Sequence, residues 1–307
     1  MTPEQIACIT GADRKYFLPL LLFVTCFRRA CPGQGLLIAD FGLTSSQRTF
    51  LRNKPDIEVL DFSGEWLPNP HVWHRKAALI DYLGARASQP VMWLDSDALV
   101  FPGIVKDMVA EASTSDAEIL ACPDGMSISG FINKMNAGGG DTVRVFASAA
   151  ADAHLPFTLP YLSSGIFLCR SAAALTEWRE LAWELPTHVL FEQNAFNLVA
   201  RRRRVKELDR RTWNCSGANL DRVVIGANGA WIGPDGVPLR FAHFTTDCGN
   251  VTTEKLRFQL TNVPGVFDGR FRMPANPPLR TLQRAILNDV VSGAALGPLD
   301  ALMLSSR

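Results

Sequence analysis

A chain of 307 residues that is 47% hydrophobic and 20% charged can bury one large core or two modest ones, which excludes a disordered polypeptide. Its formal net charge of +1 argues against a general polyanion-binding surface, so nucleic acid is not an expected partner, although Arg201, Arg202, Arg203 and Arg204 form a local basic run. The seven cysteines (Cys8, Cys26, Cys31, Cys122, Cys169, Cys215 and Cys248) are odd in number, scattered and free of any Cys-x-x-Cys pair. That spacing disfavours a disulfide framework and a zinc site alike and fits reduced, buried thiols.

In chain order, residues 5–10 read as a short buried strand that breaks at Gly11, and residues 16–29 as a helix ended by Pro32 and Gly33. The most apolar run, 18–27, is too short to span a bilayer, follows Asp13, Arg14 and Lys15, and lacks a cleavage site. A cytoplasmic location is therefore expected. Residues 35–40 form a second strand, Thr44 or Ser45 caps a helix through Leu51 with Gln47 at the capping-box position, and 57–62 form a third strand. After a loop containing Trp66 and Pro68, a helix over 74–83 carries Arg75 and Lys76 towards the central strand.

That strand is Val91-Met92-Trp93-Leu94, and Asp95 and Asp97 follow where it leaves the core. In extended backbone, alternate side chains share a face, so both carboxylates can point into one crevice while Ser96 points away. Two adjacent anions beside an apolar strand repel unless a cation lies between them. A hard divalent ion, Mg²⁺ or Mn²⁺, takes oxygen ligands and keeps room for phosphate, so a diphosphate ligand follows. A plainer alternative stays open on these residues alone, with Asp95 as a helix cap and Asp97 as a solvated loop residue.

Further along, 103–112 is a helix and 118–122 a strand. The Gly-, Ser- and Asn-rich residues 125–141, with Gly138, Gly139 and Gly140 before Asp141, read as a loop. Residues 143–153 are helical. Ser163-Ser164-Gly165 reads as a small-residue turn feeding an apolar strand, 172–183 as a helix, and Phe191 opens another with Glu192, Gln193 and Asn194 in its first turn, where polar groups suit the helix dipole. Short strands are predicted over 205–208, 212–215, 223–225 and 239–244, the last with His243. Residues 262–278 are Pro- and Gly-rich, and 279–291 show one helical pattern. Strands alternating with helices through short turns predict an α/β chain with a Rossmann-type, mostly parallel sheet whose ligands gather at the carboxyl ends of the strands.

Several stretches together resemble one family. Thr10-Gly11-Ala12-Asp13 with Tyr16, Lys76 before the central strand, Trp93-Leu94-Asp95-Ser96-Asp97, Ser163-Ser164-Gly165-Ile166, Glu192-Gln193 with Asn197, Trp213-Asn214 and Phe241-Ala242-His243-Phe244 follow in the order seen in GT-A-type glycosyltransferases of the glycogenin and lipopolysaccharide galactosyltransferase group. The match spans residues 5–244. It implies a GT-A-like catalytic domain over 1–250 and a C-terminal extension over 251–307 with a terminal helix.

The resemblance further implies that Thr10, Gly11, Asp13, Tyr16, Asp95 and Ser96 bind the nucleotide sugar, that Asp95, Asp97 and His243 hold Mn²⁺ or Mg²⁺, and that Lys76, Glu192 and Gln193 act at the donor sugar. The implied reaction moves a hexose from a UDP-linked sugar to a hydroxyl of a glycan, lipid-linked or protein acceptor, with retention of configuration. The chain departs from the family pattern in that 245–250 lack the usual Gly-x-x-Lys-Pro-Trp, so a phosphate-binding lysine is missing or replaced by Lys255. Other readings are a sugar-1-phosphate nucleotidyltransferase, for which 10–15 form a poor phosphate loop, and a non-catalytic sugar-nucleotide or glycan-binding module. The C-terminal helix, with Arg280 and Arg284, could touch an anionic inner-membrane surface or another subunit. Packing onto the catalytic domain is the simpler expectation.

Overall fold

The computed structural model describes all residues except 66, 68–69, 138–142, 246–249, 260–265 and 298–307. The chain opens with β1 (Ala7–Ala12), α1 (Phe17–Ala30), β2 (Leu36–Asp40), α2 (Ser45–Arg52) and β3 (Ile57–Leu60). The helix starts are set locally. The Asp13 carboxylate accepts the Lys15 and Tyr16 amides, each at 2.9 Å, in the turn before α1, and Thr44 and Gln47 close the predicted capping box on α2.

Next come α3 (Val72–Ala77), α4 (Leu79–Leu83), β4 (Val91–Leu94), β5 (Ala98–Val100), α5 (Ile104–Ser113), β6 (Ile119–Ser127), α6 (Ile128–Asn136) and α7 (Arg144–Asp152). They are followed by β7 (Pro160–Cys169), α8 (Ala172–Glu184), α9 (Phe191–Arg201), β8 (Val205–Glu207) and α10 (Arg210–Trp213). The chain then forms β9 (Val224–Ile225), β10 (Trp231–Ile232), β11 (Phe241–His243), β12 (Val251–Gln259), β13 (Val266–Pro274) and α11 (Pro277–Val291).

Seven strands form one sheet in the order β3-β2-β1-β4-β7-β6-β8. The β1–β2, β2–β3 and β6–β8 pairs are parallel and β7 runs antiparallel to β6. This is the mixed, mostly parallel α/β sheet that the alternation of elements predicts.

Two compact units divide the chain. One comprises Met1–Ala7, Asp61–Trp93 and Met108–Arg210; the other comprises Cys8–Leu60, Leu94–Asp107 and Arg211–Arg307. In the first, Phe131 of α6 stacks on Tyr161 of β7 with ring centroids 4.1 Å apart, and Phe146 of α7 meets both edge-on. In the second, α11 buries Leu279, Gln283, Ile286, Leu287 and Val290 and packs against α1 and β13. The apolar face of the C-terminal helix is thus spent on its own unit.

Several predicted elements differ. The expected loop over 125–141 is β6 as far as Ser127 and then α6, because Ile128, Phe131 and Ile132 lie at helical spacing and are buried. Ser127 Oγ caps α6 by accepting the Gly130 amide at 3.1 Å. Gly138, Gly139, Gly140 and Asp141 lie outside the described residues, as do Trp66, Pro68 and Cys248.

The helix expected over 74–83 divides at Ala78 into α3 and α4. Ser163, Ser164 and Gly165 sit inside β7 rather than in a turn, and the ladder to β6 shifts register beside them, between Ala121 and Pro123. The strand expected over 212–215 is the end of α10 plus a single bridge from Cys215 to Ala242. Of the Pro- and Gly-rich segment 262–278, residues 266–274 are β13, paired antiparallel with β12, and Pro277 and Pro278 open α11, while 262–265 lie outside the described residues.

All six described cysteines are free and buried. Burial pushes the Cys26 thiol up to about 12 and those of Cys31 and Cys169 up to about 11, as expected of inert core sulfurs. Among the described residues, no helix is long and apolar enough to cross a membrane.

Candidate active site

In the second unit, Asp95 and Asp97 precede β5 at the mouth of a small antiparallel ladder. β5 pairs with β11, with Ala98 opposite His243, Leu99 opposite Ala242 and Val100 opposite Phe241. The ladder continues past its last pair, where the Phe244 amide donates to the Asp97 carbonyl at 3.0 Å. This register fixes His243 beside Asp97.

Asp95, Asp97 and His243 each offer a ligand atom, all within 4.8 Å of one another. His243 Nε2 lies 3.2 Å from Asp97 Oδ1 and 3.6 Å from Asp95 Oδ2. On the other side of the ring, Nδ1 is 3.1 Å from Asn214 Oδ1. An amide oxygen can only accept, so Nδ1 carries a proton and Nε2 is the nitrogen turned to the carboxylates. Two carboxylate oxygens around such a nitrogen favour a positive charge there, as a proton on Nε2 or a shared cation.

Burial pushes the Asp97 carboxyl up, but the charge and hydrogen bond of His243, with Arg272, outweigh it and hold it at about 2. Asp97 stays ionised, as a ligand must. Oxygen, oxygen and imidazole nitrogen suit Mn²⁺ or Mg²⁺, with Mn²⁺ more tolerant of imidazole, and the outer hydrogen bond that His243 donates to Asn214 is what metal-bound histidines normally have. The residues present therefore fit a divalent cation.

Asp97 Oδ2 has different neighbours. Arg272 of β13 donates to it through Nη1 and also to the Phe244 carbonyl at 2.7 Å, while the Tyr16 hydroxyl lies 3.4 Å away. Burial, then the Asp97 charge, pushes the Tyr16 phenol above its ordinary value, so it remains a neutral donor. A cavity of about 200 Å³ adjoins this carboxylate, walled by Tyr16, Pro19, Leu22, Leu99, Phe244 and Phe271, with Arg270 and Arg272 also lining it.

Of the remaining residues expected here, Ser96 is turned to the Gly11 carbonyl, 3.4 Å from its Oγ. Gly11 makes room for an aromatic ring: a Cβ there would lie 2.4 Å from Phe41 Cζ. Asp13 caps the turn before α1. The buried Thr10 hydroxyl has no hydrogen-bond partner among the described residues, an unsatisfied group at the carboxyl end of β1. Asp40, at the carboxyl end of β2, is committed to structure by the Gly42 and Leu43 amides and by Arg48.

Lys76, Glu192 and Gln193 form a separate cluster in the first unit. Lys76 Nζ lies 3.2 Å from Glu192 Oε1, a charge contact outside hydrogen-bond geometry, and 3.2 Å from Ser164 Oγ. Gln193 Oε1 accepts from both the amide and the hydroxyl of Ser164 at 3.3 Å. All four side chains are buried. Asn197 acts structurally, exchanging hydrogen bonds with the Leu162 backbone at 2.7 and 2.8 Å and so tying α9 to β7.

No protein-family model matches the sequence, and neither does any curated protein. Solved structures do match. The galactosyltransferase LgtC in complex with donor and acceptor sugar analogs is 15% identical, with a TM-score of 0.50 over 79% of this chain and 91% of that one. The bifunctional glycosyltransferase WbbM is 12% identical, with a TM-score of 0.53 over 79% of this chain and 46% of that one.

The fold is that of GT-A glycosyltransferases. A second LgtC structure, of an active-site glutamine-to-glutamate mutant, matches equally, at 15% identity and a TM-score of 0.50 over 79% of this chain and 90% of that one.

Sequence reasoning missed Arg272, which lies in the stretch left without a predicted strand. The alternation of Arg270, Phe271, Arg272 and Met273 is the signal that could have found it.

Proposed function

We propose that this chain is a metal-dependent glycosyltransferase that moves a hexose from a UDP-linked sugar to an acceptor hydroxyl of a glycan, lipid-linked or protein substrate. The observation that carries the reading is the convergence of Asp95, Asp97 and His243 Nε2, backed by Asn214, on a GT-A fold. The GT-A fold alone hosts many chemistries; the donor set is what narrows them.

Asp95 and Asp97 would hold Mn²⁺ or Mg²⁺ through single oxygens and His243 through Nε2. When bound, such an ion acts as a Lewis acid for the diphosphate that leaves the anomeric carbon. Tyr16, Thr10, Gly11, Asp13 and Ser96 are assigned to the nucleotide, Thr10 because its buried hydroxyl lacks a partner. Lys76, Glu192 and Gln193 are assigned to the donor sugar; LgtC likewise keeps a glutamine in its active site.

The test is release of nucleoside diphosphate from UDP-, GDP- and TDP-hexoses with Mn²⁺ or with chelator. The expected result is turnover of a UDP-hexose that needs the metal and disappears in Asp97→Asn. Turnover indifferent to both chelator and Asp97→Asn, or no binding of any nucleoside diphosphate, would overturn the assignment.

A further inference from the structure

If the metal site is as proposed, its charges leave a deficit. Asp95 and Asp97 together cancel a divalent ion, so the loaded site can coordinate a diphosphate but leaves its charge unbalanced. After His243 the sequence offers no Lys or Arg before Lys255. The cation has to come from elsewhere in the fold.

The β12–β13 hairpin supplies it. In its antiparallel register Arg272 pairs with Thr253 and Arg270 with Lys255. Residues two apart on a strand and residues directly opposite across the ladder share a face, so Arg270, Arg272 and Lys255 belong to one face. Phe271 and Met273, on the other face, are buried. The Gln283 side-chain amide donates to the Arg272 carbonyl at 2.6 Å, anchoring this strand to α11.

Arg272 reaches the Asp97 oxygen that does not face His243. Both of its contacts use Nη1; among the described residues Nε and Nη2 donate to no other side chain, and Arg270 and Lys255 pair with no acid. Arg270 and Arg272 line the cavity that adjoins Asp97.

We infer that this basic face is the phosphate-binding element of the chain, with Arg272 bridging Asp97 to the β-phosphate of a nucleoside diphosphate and Arg270 and Lys255 adding charge beyond it. Arg272 thereby does two things with one planar group. It neutralises the second oxygen of Asp97, leaving Oδ1 for the metal, and it directs its remaining N–H groups to phosphate oxygens in the geometry for which guanidinium is suited. This deepens the nucleotide-sugar reading and stands only if the chain binds nucleoside diphosphates.

The experiment is calorimetry of Mn²⁺ alone, UMP with Mn²⁺, and UDP with Mn²⁺ on the full chain and on Arg272→Gln, Arg272→Lys and Arg270→Gln. Arg272→Gln is expected to weaken UDP by roughly 10- to 100-fold, the scale of one charge-assisted contact, while UMP and Mn²⁺ alone change by less than about threefold. Arg272→Lys should recover part of the UDP affinity, and Arg270→Gln should show a smaller loss with the same preference for UDP over UMP.

Equal losses for UDP, UMP and Mn²⁺ in both Arg272 variants would mark Arg272 as a structural brace and overturn the inference, as would unchanged UDP binding in Arg272→Gln. Failure of the unmodified chain to bind UDP with Mn²⁺ would instead remove the nucleotide-sugar reading itself, and the phosphate role with it.

Discussion

His243 Nδ1 is held by Asn214 Oδ1 at 3.1 Å, and this contact decides which ring nitrogen meets Asp95 and Asp97. Replacing Asn214 by Ala frees the ring to rotate and to change tautomer. Mn²⁺ affinity is expected to fall roughly 10- to 100-fold, the usual effect of removing an outer hydrogen bond to a ligating histidine. Asn214→Asp, which keeps the acceptor, should lose much less. Titration calorimetry of the two variants checks this, and equal affinities would contradict it.

Asp97 should make stability depend on acid. Its folded carboxyl is held at about 2, below the ordinary carboxylate value, so its stabilisation is complete above the unfolded pKa and disappears as pH falls through the folded one. In metal-free protein, the gap in unfolding free energy between the parent chain and Asp97→Asn is expected to be roughly 2 kcal/mol larger near pH 6 than near pH 2. Urea titrations across that range measure it. A gap independent of pH would show that His243 and Arg272 do not hold the charged form.

The buried Lys76 and Glu192 should be costly to separate and cheap to remove together. Lys76→Met removes the ammonium that lies 3.2 Å from Glu192 Oε1, a residue only 3% exposed, an expected loss of roughly 3 to 5 kcal/mol. The double change Lys76→Met with Glu192→Gln should recover most of it while abolishing any part the pair plays at the donor sugar. Denaturant unfolding and donor turnover on the same samples separate the two effects.

Gly11→Ala tests packing at the carboxyl end of β1. The added methyl would meet Phe41 at 2.4 Å, and overpacking of this kind costs roughly 1 to 3 kcal/mol. Gly11→Ala combined with Phe41→Leu should be more stable than Gly11→Ala alone. If the single variant melts like the parent chain, Gly11 is kept for the ligand and not for the ring.

Much of this architecture was readable locally. The run Val91 to Leu94 announced a buried strand, Thr44 announced a helix start, and the buried 10-residue β7 was foreshadowed by Ile166-Phe167-Leu168-Cys169. Each depends on neighbours within a few residues. Reading failed where polar composition concealed a short periodic face, as in α6, or where small residues suited to a turn sat at a register shift inside a strand, as with Ser163 to Gly165.

The sequence by itself determined that two carboxylates leave a buried strand two residues apart, since period-two geometry needs no information from elsewhere in the chain. Only the tertiary structure decided what meets them. The β5–β11 register set His243 against one oxygen of Asp97, and β13 brought Arg272, 175 positions away in sequence, to the other. Pairing across such distances is fixed by which ladders form and which faces are buried, and local periodicity carries no record of the partner.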